Sequence, residues 1–231
     1  LTAGDGQTYF AATDKSGMTY SFGQTAASRV VDPADAARIF KWGLDRVEDR
    51  DGNYLTVSYT KDQNQMYLDE IAYAGNGSTT PTNVVTFHLE ARPDTQALYV
   101  PNFKVVTAKR LKSIDVQANS SRVRAYQVTY ASSQTTGRSL LESIQQFGSD
   151  AVFNGSYAIT SGTALPPVSL GYESETIALG EDSVWGTRSY GINCIGTPNC
   201  RAAVSFADVN GDGRADVVYE RTDVTEFRGL L

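Results

Sequence analysis

The chain has 231 residues, a formal net charge of −6 and a sequence pI near 4.8. That acidity argues against a nucleic-acid partner and against an anionic membrane surface, which both need clustered Lys and Arg. No apolar run approaches the roughly 20 residues of a membrane-spanning helix. The length permits one large domain or two small ones with a real core. Tyrosine (13) outnumbers phenylalanine (9), and Tyr, Thr, Val and Ser fill the extended segments, so the expected class is all-β.

The first residues, Leu1 to Asp5, are neither basic nor followed by an apolar core, so no signal peptide is read there. The chain lacks an initiator Met and stops abruptly at Phe227 to Leu231. It is therefore expected to be a piece of a longer polypeptide. Pro33 to Arg38, Ala-rich and short, predicts a single helical turn. The cluster Asp45, Asp49 and Asp51 lies beside Gly52 and Asn53; it offers a second cation site or, more simply, an Asp-Gly-Asn hairpin turn.

Three runs alternate with period two, the signature of half-buried strands. Their apolar sets are Leu55, Val57 and Tyr59; Val85, Phe87 and Leu89; and Tyr126, Val128 and Tyr130. Turn residues separate such runs at Asp51 to Asn53, Gly75 to Gly77 and Ser132 to Gly137. His88, the single histidine, alternates with Thr86 and Glu90 on the polar side of its strand, and reads as a surface residue rather than a catalytic base. A tetrapeptide Leu-x-x-Ile recurs at Leu68 to Ile71, Leu111 to Ile114 and Leu141 to Ile144. Each copy reads as part of a strand pair that must stack on a neighbour to bury its apolar side.

After Tyr172 the composition becomes polar. Glu173-Ser-Glu175 has the Glu-x-Glu form of ADP-ribosyltransferases, but no nucleotide-binding fold surrounds it, and it reads as a solvated strand end. Cys194 and Cys200 bracket a loop containing Gly196 and Pro198. A local disulfide is the first reading and points to an oxidising compartment. Two free thiols are the alternative, and a metal site is disfavoured because no other thiol or imidazole lies near. Asn76, Asn119 and Asn154 each open a glycosylation-type triplet, a pattern common by chance.

The sharpest motif is Asp208-Val-Asn210-Gly-Asp212-Gly-Arg214-Ala-Asp216. Oxygen side chains stand at positions 1, 3, 5 and 9, and the Arg214 carbonyl at position 7 adds a backbone ligand. Calcium takes six to eight oxygens at about 2.4 Å, and Gly213 at position 6 permits the sharp turn. Position 12 is Tyr219 rather than Glu, and the flanks read as strands, so this is not an EF-hand. A metal-free Asp-Gly hairpin turn is the alternative.

The loop resembles the D-x-N-x-D-G-x-x-D element of FG-GAP (VCBS) repeats, which join strands within β-propeller blades. Phe40 to Tyr54, including Trp42, Asp49, Gly52 and Asn53, resembles the W-x-L-x-x-V-x-D-x-x-G-N segment of SpvB-type proteins. Tyr67 to Tyr73, Arg110 to Ile114 and Gly137 to Ile144 resemble the Rhs/YD-like strands that follow in that family, and Pro167 to Tyr172 its closing strand. The resemblance implies a relative of the B component of insecticidal toxin complexes. Its β-sheet would form part of a hollow shell enclosing an effector, with other toxin-complex subunits or the remainder of a longer polypeptide as partners. The expected architecture is a stacked antiparallel Rhs/YD-like sheet over 1–172. A linker with the cysteine pair follows over 173–203, then a partial FG-GAP unit with structural calcium over 204–231. The protein is expected to be extracellular and not an enzyme. The competing reading is an adhesin-type β module that binds carbohydrate or protein through exposed tyrosines.

Overall fold

The computed structural model describes residues 1–172, together with the backbone of 204–207, 216–220 and 227–230. All its regular structure is β, in antiparallel sheets. The chain divides into two compact units, one of residues 1–133 and 137–173, the other of 134–136 and 174–231.

The first unit is built on one open sheet of ten strands: β1 (Phe10–Thr13), β2 (Thr19–Phe22), β5 (Leu44–Glu48), β6 (Asn53–Asp62), β7 (Gln65–Asn76), β8 (Asn83–Leu98), β9 (Val105–Ala118), β10 (Ser121–Ser132), β11 (Ser139–Phe147) and β14 (Val168–Ser169), in that spatial order. Two small hairpins stand outside it, β3 (Arg29–Asp32) with β4 (Asp35–Trp42), and β12 (Val152–Phe153) with β13 (Ile159–Ser161). Neighbouring strands follow one another in the chain, as local hairpin closure favours, except at β2–β5 and β11–β14, where the two small hairpins intervene.

The helical turn expected over Pro33 to Arg38 does not form. Pro33 and Ala34 make the turn between β3 and β4, where Asp32 Oδ1 accepts the Ala34 amide at 2.9 Å. Val31 pairs with Ile39, and Val30 with Lys41. A handful of Ala residues cannot offset helix nucleation, whereas pairing gives the apolar residues a partner.

The repeat has a structural meaning that its spacing hides. In each copy the tetrapeptide lies inside a strand, and one residue is extra. Ser58 pairs with Glu70 but Tyr59 with Leu68, which leaves Asp69 as a bulge. His88 pairs with Ser113 but Leu89 with Leu111, which leaves Lys112. Thr129 pairs with Ser143 but Tyr130 with Leu141, which leaves Glu142. A bulge inserts one unpaired residue and re-aims the strand. Leu and Ile, three apart, thus fall on the same side of the sheet, where regular alternation would separate them. The hairpins β6–β7, β8–β9 and β10–β11 are the three repeats. At equivalent places Tyr59 donates to the Leu44 carbonyl (2.9 Å) and Tyr130 to the Leu111 carbonyl (2.7 Å), tying each hairpin to the strand before it.

Pairing defines two faces. Val57, Ile71, Val85 and Val116 are successive partners across four strands, and so are Phe87, Ile114 and Tyr126. Val128, Ile144 and Val168 continue the apolar face to β14. The other face carries Thr86, Asp115 and Ala125, then His88, Ser113, Gln127 and Gln145. Buried apolar residues are few and small among the described residues: Val30, Val105, Val106, Ala108, Ala125, Val128 and Ala151. The polar face holds Ser113 and Asp115 at 0% and 5% exposure.

In the second unit, β15 (Val204–Ala207), β16 (Asp216–Glu220) and β17 (Phe227–Leu230) form a three-stranded antiparallel sheet, with Ala207 paired to Asp216. The flanks of the acidic loop are thus strands, as its sequence implies.

Candidate functional site

The best-built polar cluster lies where the β12–β13 hairpin closes on the polar face of the main sheet. The hairpin turn is Asn154-Gly-Ser-Tyr157. Asn154 Oδ1 accepts the amides of Ser156 (3.0 Å) and Ala158 (3.0 Å) and the Ser156 hydroxyl (2.9 Å), an Asx-type closure. Tyr157 takes φ 60°, a left-handed value. That turn presents the Tyr157 ring to His88, parallel at 4.0 Å between centroids and 6° between planes. Phe153 meets the same imidazole edge-on at 5.6 Å.

Around the rings the hairpin is fastened by hydrogen bonds. Ser113 Oγ donates to the Tyr157 carbonyl at 2.7 Å, the Ile159 amide donates to Gln127 Oε1 at 2.8 Å, and Arg122 donates to the Ala151 carbonyl at 2.5 Å. Arg122 also grips Asp115 through two bonds, 2.7 and 3.0 Å, and lies 4.6 Å from the Phe153 centroid. Burial, the largest influence on Asp115, pushes its carboxyl up, but the bonds from Arg122 and Gln117 outweigh it and hold the group below the usual carboxylate range. For His88, burial leads and pushes the ring down; Asp115 and Asp69 pull it up, Arg122 pushes it down, and the net shift is downward.

His88 is therefore half-buried beneath a hairpin, not on an open surface as its alternation suggests. Its neighbours Ser113 and Asp115 complete a Ser, His and Asp set, yet the geometry is structural. The Ser113 proton is committed to a backbone carbonyl, Asp115 to Arg122 and Gln117, and the imidazole to ring stacking. A nucleophile would need its hydroxyl bonded to the base.

A second network lies further along the same strands. Arg92 holds Asp94 bidentately (3.0 and 2.7 Å), and Asp94 accepts the amide (2.8 Å) and hydroxyl (2.5 Å) of Ser139. Arg110 donates to Ser139 Oγ at 2.7 Å and to Glu90 at 2.7 Å, and lies 4.3 Å from the Tyr130 centroid. The Arg92 guanidinium, first among several donors, holds Asp94 well below the carboxylate range. This network joins β8, β9 and β11.

The acidic cluster of Asp45, Asp49 and Asp51 is not brought together. Asp45 is buried and accepts the Gln24 amide (2.6 Å) and the Thr25 hydroxyl (3.1 Å). Asp49 closes the β5–β6 turn by accepting from Asp51 and Asn53. The turn reading holds. Among the described residues no group of three metal-ligating side chains assembles. Asn76, Asn119 and Asn154 are all exposed. Of the calcium-loop residues, Asp208, Asn210, Asp212 and Arg214 lie outside the described residues, and Asp216 is placed only as the first residue of β16. Cys194, Cys200, Glu173 and Glu175 also lie outside them.

The hairpin clasp itself was not singled out in the sequence. Its signal is the alternation Ser113, Asp115, Gln117 against Ile114 and Val116, with an Asn-Gly turn downstream; nothing in it says which face is covered.

Residues 2–91 match the family described as Salmonella virulence plasmid 65kDa B protein (SpvB). Comparison with the curated proteins gives no match. The fold is similar to the N-terminal domain of the effector protein SpvB from Salmonella typhimurium, with TM-score 0.55 and 15% identity over 63% of this chain and 62% of that one. It is also similar to a chain of the Photorhabdus luminescens Tc holotoxin pore, with TM-score 0.61 and 12% identity over 93% of this chain. A chain of the TcdB2-TccC3-Cdc42 complex matches with TM-score 0.59 and 13% identity over 94% of this chain. The present chain spans 12% of each of those two chains. Residues 2–91 thus resemble the SpvB family in sequence, and the fold is that of the SpvB N-terminal domain and of a segment of the Tc-toxin chains.

Proposed function

We propose that the chain is a wall segment of a secreted, toxin-complex-like β-shell that encloses or delivers an effector. Its partners are the remainder of a longer polypeptide or other subunits of such a complex. The observation that carries the reading is the bulged hairpin, repeated three times in one open sheet with few fully buried side chains. Such a sheet has the economy of a wall rather than of a solid core, and nearly its whole length follows a segment of much longer toxin chains. The chain acts as structure and not as a catalyst. Consistent with that, the Ser113, His88 and Asp115 set spends its hydrogen bonds on holding a hairpin. Protease treatment of the complete polypeptide tests enclosure. An effector segment should survive until the wall is opened with denaturant; immediate digestion at native pH argues against a shell.

The Asp208 to Asp216 loop is a structural calcium site in the same reading. Support comes from its ligand spacing and from the paired strands at both ends, Ala207 opposite Asp216. Calcium at 100 times its Kd should stabilise the unit by about 2.7 kcal/mol. D212A should abolish that gain in a chelator-controlled melt; equal melting with calcium and with chelator removes the site.

The adhesin-type alternative draws on exposed aromatic side chains, Tyr99 at 62% and Tyr172 at 48%. Saturable binding to a glycan array, lost on Tyr99→Ala, would favour it over the shell.

A further inference from the structure

We propose that His88 is a proton-operated latch: its neutral ring holds the β12–β13 hairpin on the sheet, and protonation releases the hairpin. The imidazole belongs to β8, while the two rings packed on it, Tyr157 and Phe153, belong to the hairpin. The hairpin's own ladder pairs only Val152 with Ser161 and Phe153 with Ile159. A short two-stranded hairpin is marginal in water and depends on what it packs against. Here that is the His88 ring together with the bonds from Ser113, Gln127 and Arg122.

The charged groups that face the ring come from three strands: Asp69 from β7, Asp115 from β9 and Arg122 from β10. Glu90, two residues along β8, is engaged by Arg110 and Lys112, and Asp150 at the hairpin's foot by Thr163. Asp115 already accepts from Arg122 and Gln117 on both oxygens. The hairpin supplies aromatic rings to the imidazole and no carboxylate. Tyr157 offers a ring face that would favour a cation, as the two carboxylates do; desolvation by the clasp outweighs them, so the closed site holds the ring below its ordinary value of 6.5. Opening the hairpin hydrates the ring and restores that value. The open form therefore binds the proton more tightly. The pH leaves the latch unaffected above about 6.5, and opening becomes easier as pH falls from there to the closed-state value, by at most about tenfold per pH unit for one proton.

His88 is the single histidine, so its imidazole NMR signal reads the titration directly. Amide hydrogen exchange over residues 152–161, taken as the ratio of wild type to H88F at each pH, cancels the intrinsic pH dependence of exchange. The expected results are an imidazole midpoint below 6.5 and a ratio that climbs below pH 6.5, while amides of β6 and β7 keep a constant ratio. A midpoint at or above 6.5, or a flat ratio for the hairpin, overturns the latch. H88Q, which removes the charge change with a smaller side chain, serves as the second non-titrating reference if H88F perturbs folding, and the ratio of wild type to H88Q must climb below pH 6.5 in the same way.

Discussion

Removing Lys112 and removing Thr86 shorten adjacent strands by one residue each, yet they should have very different costs. Lys112 is the unpaired residue of its bulge. Without it, His88 can still pair with Ser113 and Leu89 with Leu111, and every side chain keeps its face. The losses are a Lys112–Glu90 ion pair at 3.7 Å and the Gln127 bond to the Lys112 carbonyl at 3.1 Å. A long, partly exposed ion pair of this kind is worth about 0–1 kcal/mol and a hydrogen bond about 1 kcal/mol. The deletion should cost about 1–2 kcal/mol. Thr86, by contrast, lies in a regular run between Val85 and Phe87, paired on both sides with Glu70 and Asp115. Deleting it makes Val85 and Phe87 chain neighbours, which cannot share a face. One of them leaves the apolar face, at about 1–2 kcal/mol for a half-buried side chain. Several ladder bonds to β7 or β9 also break, each about 1 kcal/mol. The total of about 4–6 kcal/mol approaches the whole stability of an ordinary domain, about 5–15 kcal/mol. Urea unfolding followed by circular dichroism, with T86A and K112A as side-chain controls, measures both. Equal costs for the two deletions would refute the bulge assignment.

Two further outcomes follow from local geometry. Gly162 has φ 139°, and a Cβ there would lie 2.8 Å from Ala151 Cα. G162A should therefore destabilise the first unit by more than about 1 kcal/mol, with faster exchange in β12 and β13; an unchanged urea midpoint contradicts the close approach. Asp94 and Asp115 titrate below the usual carboxylate range in the folded chain, so their stabilisation is present above the unfolded value near 3.9 and is lost as pH falls through the folded values. The urea midpoint should fall below pH 4, and less steeply in D94N; identical slopes would deny Asp94 its role.

Much of the main sheet was legible because its signals are local. Alternation at Leu55 to Tyr59, Val85 to Leu89 and Tyr126 to Tyr130, punctuated by Gly-containing turns, depends only on near neighbours, and those strands stand where alternation puts them. The Leu-x-x-Ile repeat was visible, but its cause was not. A bulge is defined by what the partner strand does opposite it, which one strand's residues do not state. Pro33 to Arg38 misled for the same reason: helix propensity is local, while the pairing of Val31 with Ile39 is not. His88 looked exposed because its strand alternates, and the hairpin that covers it arrives some 60 residues later in the chain. Polar residues so far apart in sequence declare no common face until the topology brings them together.

The shell reading meets its most direct test in a reconstruction by electron microscopy of the complete polypeptide that contains this sheet. The expected result is a hollow particle in whose wall β5 to β11 run as consecutive strands, one layer thick. A solid particle, or this sheet standing apart as a projecting arm, would contradict it.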